Sequence, residues 1–204
     1  MVPLPEHGLA AGEFAGDIHT WIVEMNLRSH IHQWLGSGVS AKDDKNEHRV
    51  PDYAMGPRRP LPGLSRDRPT LVVEIGRTKS LPSLGEDGRW WLDPAKGDAN
   101  ICITCKLDRT PRLLIDVWER NILEGRDGDK DDITRAQHLI ITKNKKTDDI
   151  VVRGAPMIIK LSHLMGRNLD ENSTKEKDLV IEDERLKEIA ISIWEAEGLI
   201  ERKD

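Results

Sequence analysis

The stretch RPTLVVEIGRTKSLPSLGEDGRWWL, residues 68–92, decides how the chain is read. Its first part, TLVVEIG, is a short apolar run rich in β-branched residues, the pattern of a strand covered on both faces. Glu74 interrupts that run. A carboxylate is costly to bury without a partner, so either an arginine neutralises Glu74 or some chemistry requires it there. The second part, SLPSLGEDGRWWL, predicts a helix capped by Ser80 or Ser83, with Leu81, Leu84 and Trp91 along one side. Trp90 and Trp91 differ by about 100° around a helix axis, so they cannot both face the sheet, and Trp91 is the one expected to be buried.

Upstream, AGDIHTWIVEMNLRSHIHQWLGSG (15–38) repeats Ile18, Trp21, Ile22 and Met25 at helical spacing, and Leu27, Ile31 and Trp34 fill a second face. The segment predicts one helix covered on both sides and stopped by Gly36 and Gly38. His30 and His32, two apart on such a helix, diverge by about 200° and cannot share a metal ion. EHRVPDYAMG (47–56) then predicts a strand, and PRRPLPGLSRDRP (57–69) a proline-rich loop that cannot continue a central ladder.

Downstream, ANICITCKL (99–107) and RLLIDVWERN (112–121) predict two more strands. Cys102 and Cys105 are three apart and point to opposite faces of a strand, which suits packing and excludes a disulfide between them. EGRDGDKDD (124–132) begins like a calcium loop, but counting from Asp127 the sixth position is Asp132 and the twelfth is His138. A calcium loop needs glycine and glutamate there, so an acidic turn is expected. HLIITKN and DIVVRG predict a hairpin around KKTD. PMIIKLSHLMG predicts a strand or short helix, RNLDENSTKEKD a polar linker, and a last helix begins near Asp183 with Leu186, Ile189, Ile193 and Trp194 inward. The order of elements predicts an α/β (α+β) fold with a mixed central sheet flanked by helices.

Composition narrows the role. The 204 residues are 37% apolar and 33% charged, with a net charge of −5, as in ordinary soluble globular proteins. A length of this order predicts one domain, here residues 1–204 with a core over about 15–125 and C-terminal strands and helix over 135–200. The negative total argues against general coating of duplex DNA, which requires many phosphate-neutralising side chains. A local site remains open, because residues 57–79 hold six arginines and lysines (Arg58, Arg59, Arg66, Arg68, Arg77 and Lys79) against Asp67 and Glu74. A basic rim of this kind suits a phosphate backbone. No basic leader precedes an apolar segment, and no window approaches the roughly 18 apolar residues of a membrane span, so an intracellular location is expected, in cytoplasm or nucleus.

The carboxylates can now be compared. Asp52 lies in one predicted strand and Glu74 in the next, and the intervening loop can turn the chain so that both acids meet at neighbouring strand ends. Two such oxygen donors suit Mg²⁺ (or Mn²⁺), which takes one or two carboxylates plus waters and substrate phosphate oxygens.

These residues resemble a family. Pro51-Asp52, the apolar strand bearing Glu74, and the helix and strand that follow look like the PD-(D/E)XK nuclease superfamily, with its restriction-endonuclease-like fold. PTLVVEIG, DGRWWL and IEDERLKEIAISIWEAE are similar to uncharacterised, mostly fungal members, and the resemblance covers roughly residues 15–200. It implies an αβββαβ core, Asp52 and Glu74 as metal-binding acids, and a third acid from the first helix, where Glu24 is the candidate. It also implies phosphodiester hydrolysis in DNA or RNA. The departure lies two residues beyond Glu74, where Gly76 replaces the lysine of the E-x-K pattern. Lys79, just past the strand, and Arg89, two turns down the helix, are the candidate substitutes, and Lys79 is favoured because a guanidinium cannot act as a base. The alternative is an inactive nuclease fold that binds nucleic acid or another protein.

Overall fold

The computed structural model describes residues 5–34, 36–58, 68–121, 133–170 and 173–201. Helix α1 (Pro5–Glu24) opens the chain and ends at Asn26, whose positive φ of 59° breaks the helical path. A single 3₁₀ turn (Arg28–His30) leads into strand β1 (Ile31–Trp34). A two-stranded ribbon of β2 (Val39–Ser40) and β3 (His48–Arg49) precedes β4 (Tyr53–Pro57) and β5 (Leu71–Gly76). Helix α2 (Leu81–Leu92) then crosses to β6 (Ile101–Leu107). Strands β7 (Arg112–Arg120), β8 (Ile133–Lys143) and β9 (Ile150–Arg153) complete a seven-stranded sheet of order β1-β4-β5-β6-β7-β8-β9. A small ribbon of β10 (Met157–Ile159) and β11 (Leu179–Ile181) flanks the short helix α3 (Leu161–Met165), and α4 (Asp183–Ala196) follows.

The fold is thus a mixed α/β arrangement with helices on both faces of one sheet. Within the sheet β5 and β6 run parallel and the other described pairs antiparallel. The parallel pair is the one joined by α2, because parallel neighbours need a crossover that returns the chain to the same end. Apart from the small β2–β3 ribbon, the succession α1, β1, β4, β5, α2, β6 is the αβββαβ order that the resemblance implies, with β1 as the strand that the residue pattern alone did not give.

Strand alternation divides the core into two layers. Val73, Ile75, Ile103, Cys105, Ile115 and Leu139 pack toward α1 and α4, together with Phe14, Ile18 and Trp194. On the other face Ala54, Val72, Cys102 and Trp118 pack against Trp90 and Trp91 of α2. Cys102 and Cys105 fall in different layers, both free and buried. The inward stripe of α4, Leu186, Ile189, Ile193 and Trp194, is fully buried.

The structure corrects several sequence readings. The expected helix over 15–38 is two elements: α1 starts ten residues earlier, and Ile31 and Trp34 belong to the edge strand β1. Leu81 is 43% exposed at the start of α2 and lies outside the apolar side formed by Leu84 and Trp91. Trp91 is fully buried as expected, but Trp90 is buried too. The Arg49 guanidinium sits 4.8 Å from the Trp90 ring centre, so β3 helps to cover this indole. Segment 156–166 is both strand and helix, and the polar linker after it runs into β11. The acidic turn at 124–132, and Arg59 and Arg66 of the basic rim, lie outside the described residues.

Candidate metal and phosphate site

The β4–β5 register runs as far as Tyr53 and Val73, so Asp52, one residue before β4, sits beside the strand end that carries Glu74. The Asp52 charge acts on Glu74, and the two acids therefore lie near each other at one end of the sheet. Asp52 Oδ2 accepts a hydrogen bond from the Ile75 amide at 2.7 Å, which fixes the carboxylate across the strand end. Its Oδ1 lies 3.9 Å from His7 Nδ1, near the start of α1. The Asp52 side chain is 24% exposed, which leaves it open to a small ligand.

Glu74 sits deeper, 6% exposed. Trp91 Nε1 donates to its Oε1 at 2.6 Å, and Lys79 Nζ lies 3.9 Å from its Oε2. Burial, reinforced by the Asp52 charge, raises the Glu74 carboxyl to about 7. Burial likewise raises Asp52, although the Ile75 amide opposes that shift. A cation at this position would offset the charge that Asp52 imposes on Glu74.

Lys79 reaches back over the strand end and donates to Asp87 Oδ2 at 2.6 Å. The other Asp87 oxygen takes Arg49 NH1. The sequence reading does not include Asp87 or Arg49, although a signal for Asp87 exists. Asp87 and Trp91 are four apart on α2 and must share a face, so whatever turns Trp91 toward Glu74 turns Asp87 the same way. Gly76 is explained by the same helix: a Cβ at Gly76 would meet Leu84 Cδ1 and Cδ2 at 3.1 Å. The space of the absent lysine side chain is the space Leu84 uses.

Other candidates lie elsewhere. Glu24 is exposed at the C-terminal end of α1, about 25 Å along the helix axis from His7 at 1.5 Å per residue, so it supplies no third acid. The Arg89 guanidinium stacks 5.0 Å from the Trp118 ring centre and is not at Glu74. Of the basic rim, Arg68 donates to the Ser40 and Lys96 carbonyls and ties the β2 ribbon to the loop after α2. Arg77 faces Glu197 at 3.6 Å. Arg58 remains exposed at the end of β4. His30 and His32 are both exposed.

Among the described residues no group of three or more His, Cys, Asp or Glu side chains converges into a metal-binding cluster. The Asp52–Glu74 pair nonetheless fits a hard dication. Oδ1 of Asp52 and Oε2 of Glu74 are left by the backbone amide and the indole, and Mg²⁺ fills its remaining positions with water and phosphate oxygens. Three carboxylates, Asp52, Glu74 and Asp87, stand against the cations Lys79 and Arg49.

No family model matches the sequence, and no curated protein does. Among solved structures the chain is similar to a protein from Anabaena variabilis named "putative nuclease belonging to DUF820", with 11% identity and a TM-score of 0.46. The match covers 95% of this chain and 84% of that one. At that level of similarity it adds nothing to the reading of the site. No described helix is long and apolar enough to cross a membrane.

Proposed function

We propose that the chain is a metal-dependent nuclease-like protein that hydrolyses phosphodiester bonds of DNA or RNA, with Asp52 and Glu74 as ligands of Mg²⁺ or Mn²⁺ and Lys79 as the cation beside the reacting phosphate. The observation that supports it most is that Lys79, five residues beyond Glu74, folds back to within 3.9 Å of Glu74 Oε2 although the E-x-K position is glycine. A bound Mg²⁺ would polarise the phosphodiester and lower the pKa of an attacking water.

The chain's own residues orient and neutralise. The Ile75 amide and the Trp91 indole each hold one oxygen of a carboxylate, so the other oxygen faces the site without rotation. Asp87 holds the Lys79 ammonium in place, and Arg49 holds Asp87 in turn. A cation fixed before substrate arrives costs no reorganisation when negative charge builds on the phosphate.

Digestion of single- and double-stranded DNA and RNA in Mg²⁺ and in Mn²⁺ tests this with the natural protein, Glu74→Gln and Lys79→Ala. Cleavage lost in Glu74→Gln and reduced about a hundredfold in Lys79→Ala is expected. Equal cleavage by Glu74→Gln and the natural protein overturns the reading.

One observation favours a second reading, a nuclease fold that binds nucleic acid without cutting it. Leu84 closes the E-x-K position at Gly76, and Lys79 is already paired with Asp87. Binding with no cleavage by any of the three proteins would select it.

A further inference from the structure

We propose that the groove between α1 and the edge strand β1 is a binding track for one nucleic-acid strand, leading from Asp52 to a phosphate subsite formed by Arg28, Arg58 and His32. The inference rests on the proposed function for the chemistry at Asp52, while its own evidence lies in the groove.

Two cavities adjoin here, meeting at His19 and Gln33, whose side chains are hydrogen-bonded across the groove at 3.3 Å. One, of about 610 Å³, runs from Asp52 and Tyr53 along Gly8, Gly12 and Gly16 to His19 and Gln33. The other, of about 310 Å³, begins at the same His19 and Gln33 and ends between Arg28, His32 and Arg58. From Gly8 to His19 the axis of α1 advances about 16 Å, which matches about five nucleotides of a stacked strand at 3.4 Å each.

Charge along this path is unlike that of the whole protein. The chain carries 36 Asp and Glu residues and a net charge of −5, yet among the described residues Asp52 is the single carboxylate in the lining of either cavity. Glu13 and Asp17 of α1 are drawn to its other side: Arg185 of α4 pairs with Asp17 and with Glu13, and Ser192 donates to Glu13. The Arg28 guanidinium has no hydrogen-bond or ion-pair partner among the described residues, and Arg58 spends its Nε on the Ile31 carbonyl and keeps its charge at the rim. Two arginines with no facing acid are suited to a phosphate oxygen.

The wall is shaped for a close neighbour. Gly8, Gly12 and Gly16 recur every fourth residue on one face of α1, where glycine is less favourable than alanine. A Cβ at any of them would touch nothing within 4 Å, so internal packing does not require them. They leave room for something outside the chain. The Tyr53 hydroxyl points to the same requirement. Tyr53 is 5% exposed, lines the groove beside Asp52, and its buried hydroxyl has no partner among the described residues. A phosphate or sugar oxygen would complete it.

The test is fluorescence anisotropy of a labelled 12-nucleotide single strand in EDTA, where metal-dependent cleavage cannot contribute. The natural protein, Arg28→Glu, Gly12→Leu and Arg153→Glu are compared, the last altering an exposed arginine on β9 at the far edge of the sheet. Expected are at least about a tenfold loss of affinity in Arg28→Glu, with a salt slope shallower by about one, and a comparable loss in Gly12→Leu. Arg153→Glu should bind as the natural protein does. Gly12→Leu should also raise the melting temperature, since leucine is the better helix former, so weakened binding there cannot come from unfolding. Absence of binding by the natural protein, unchanged binding in Arg28→Glu and Gly12→Leu, or an equal loss in Arg153→Glu would each overturn the track. A protein that cleaves in Mg²⁺ but fails this test keeps the proposed function and loses the groove. One that binds as expected without cleaving does the reverse.

Discussion

The indole of Trp91 donates to the Glu74 carboxylate at 2.6 Å, joining the innermost residue of α2 to the one acid inside β5. The pair makes the packing of α2 and the ionisation of Glu74 a single problem. Truncating Trp91 to alanine should destabilise the fold by about 3–5 kcal/mol, as for other large buried aromatics. Trp91→Phe keeps most of the apolar contact but leaves Oε1 unpaired, and should cost about 1.5–3 kcal/mol. That cost should be larger at pH 8, where the carboxylate is charged, than at pH 5. Urea titrations of the two variants at both pH values check this.

Glu74 also sets a pH dependence in metal-free protein. Its folded-state pKa of about 7 exceeds the ordinary 4.5, so between those values the folded chain holds a proton that the unfolded chain has released. Stability from this group is therefore complete below about pH 4.5, falls as pH rises toward 7, and is flat above. The full span corresponds to about 3 kcal/mol. The difference in unfolding free energy between the natural protein and Glu74→Gln, followed by denaturant titration from pH 4.5 to 8 in EDTA, should change by that order. No pH trend in the difference would mean that Glu74 ionises normally.

Gly76→Lys restores the E-x-K spelling but not its geometry. The new Cβ would press on both Leu84 methyls at 3.1 Å, and overpacking of this kind typically costs about 1–3 kcal/mol. The variant should be less stable and no more active than the natural protein. Gly76→Lys combined with Leu84→Ala relieves the contact, and the combination should show non-additive stability, because the two residues share the same space. Additive effects in a thermal double-mutant cycle would show that Leu84 is not what excludes the side chain.

Much of this was legible beforehand, and the misses have local causes. Strands β5, β6 and β7 read correctly because long β-branched runs covered on both faces have no competing helical pattern. Strand β1 did not, since Leu27, Ile31 and Trp34 happen to be spaced four and three apart, as on a helix, and a four-residue edge strand offers too little alternation to contradict them. The early start of α1 was obscured by Gly8, Gly12 and Gly16, although Ala10 and Phe14 already extend the stripe of Ile18, Trp21 and Ile22. At the candidate site, sequence order placed Asp52, Glu74 and Lys79 in reach of one another. The spacing of Asp87 and Trp91 on α2 could have added Asp87, but not Arg49, whose meeting with Asp87 depends on how α2 and the β2–β3 ribbon dock, which no local pattern encodes.

Metal binding joins these effects. A dication between Asp52 and Glu74 requires Glu74 to lose its proton, so affinity must rise with pH through about 7. An ion that binds the folded chain there would raise stability by an amount set by its concentration over its dissociation constant, about 2.7 kcal/mol at a hundredfold excess. Mn²⁺ should therefore raise the melting temperature more at pH 8 than at pH 6. Asp52→Asn should weaken the increment and Glu74→Gln should abolish it, while Glu24→Gln, at the far end of α1, should leave it intact. Melting curves in EDTA and in Mn²⁺ at the two pH values provide the check. An increment equal at both pH values, or retained in Glu74→Gln, would place the ion elsewhere on the protein.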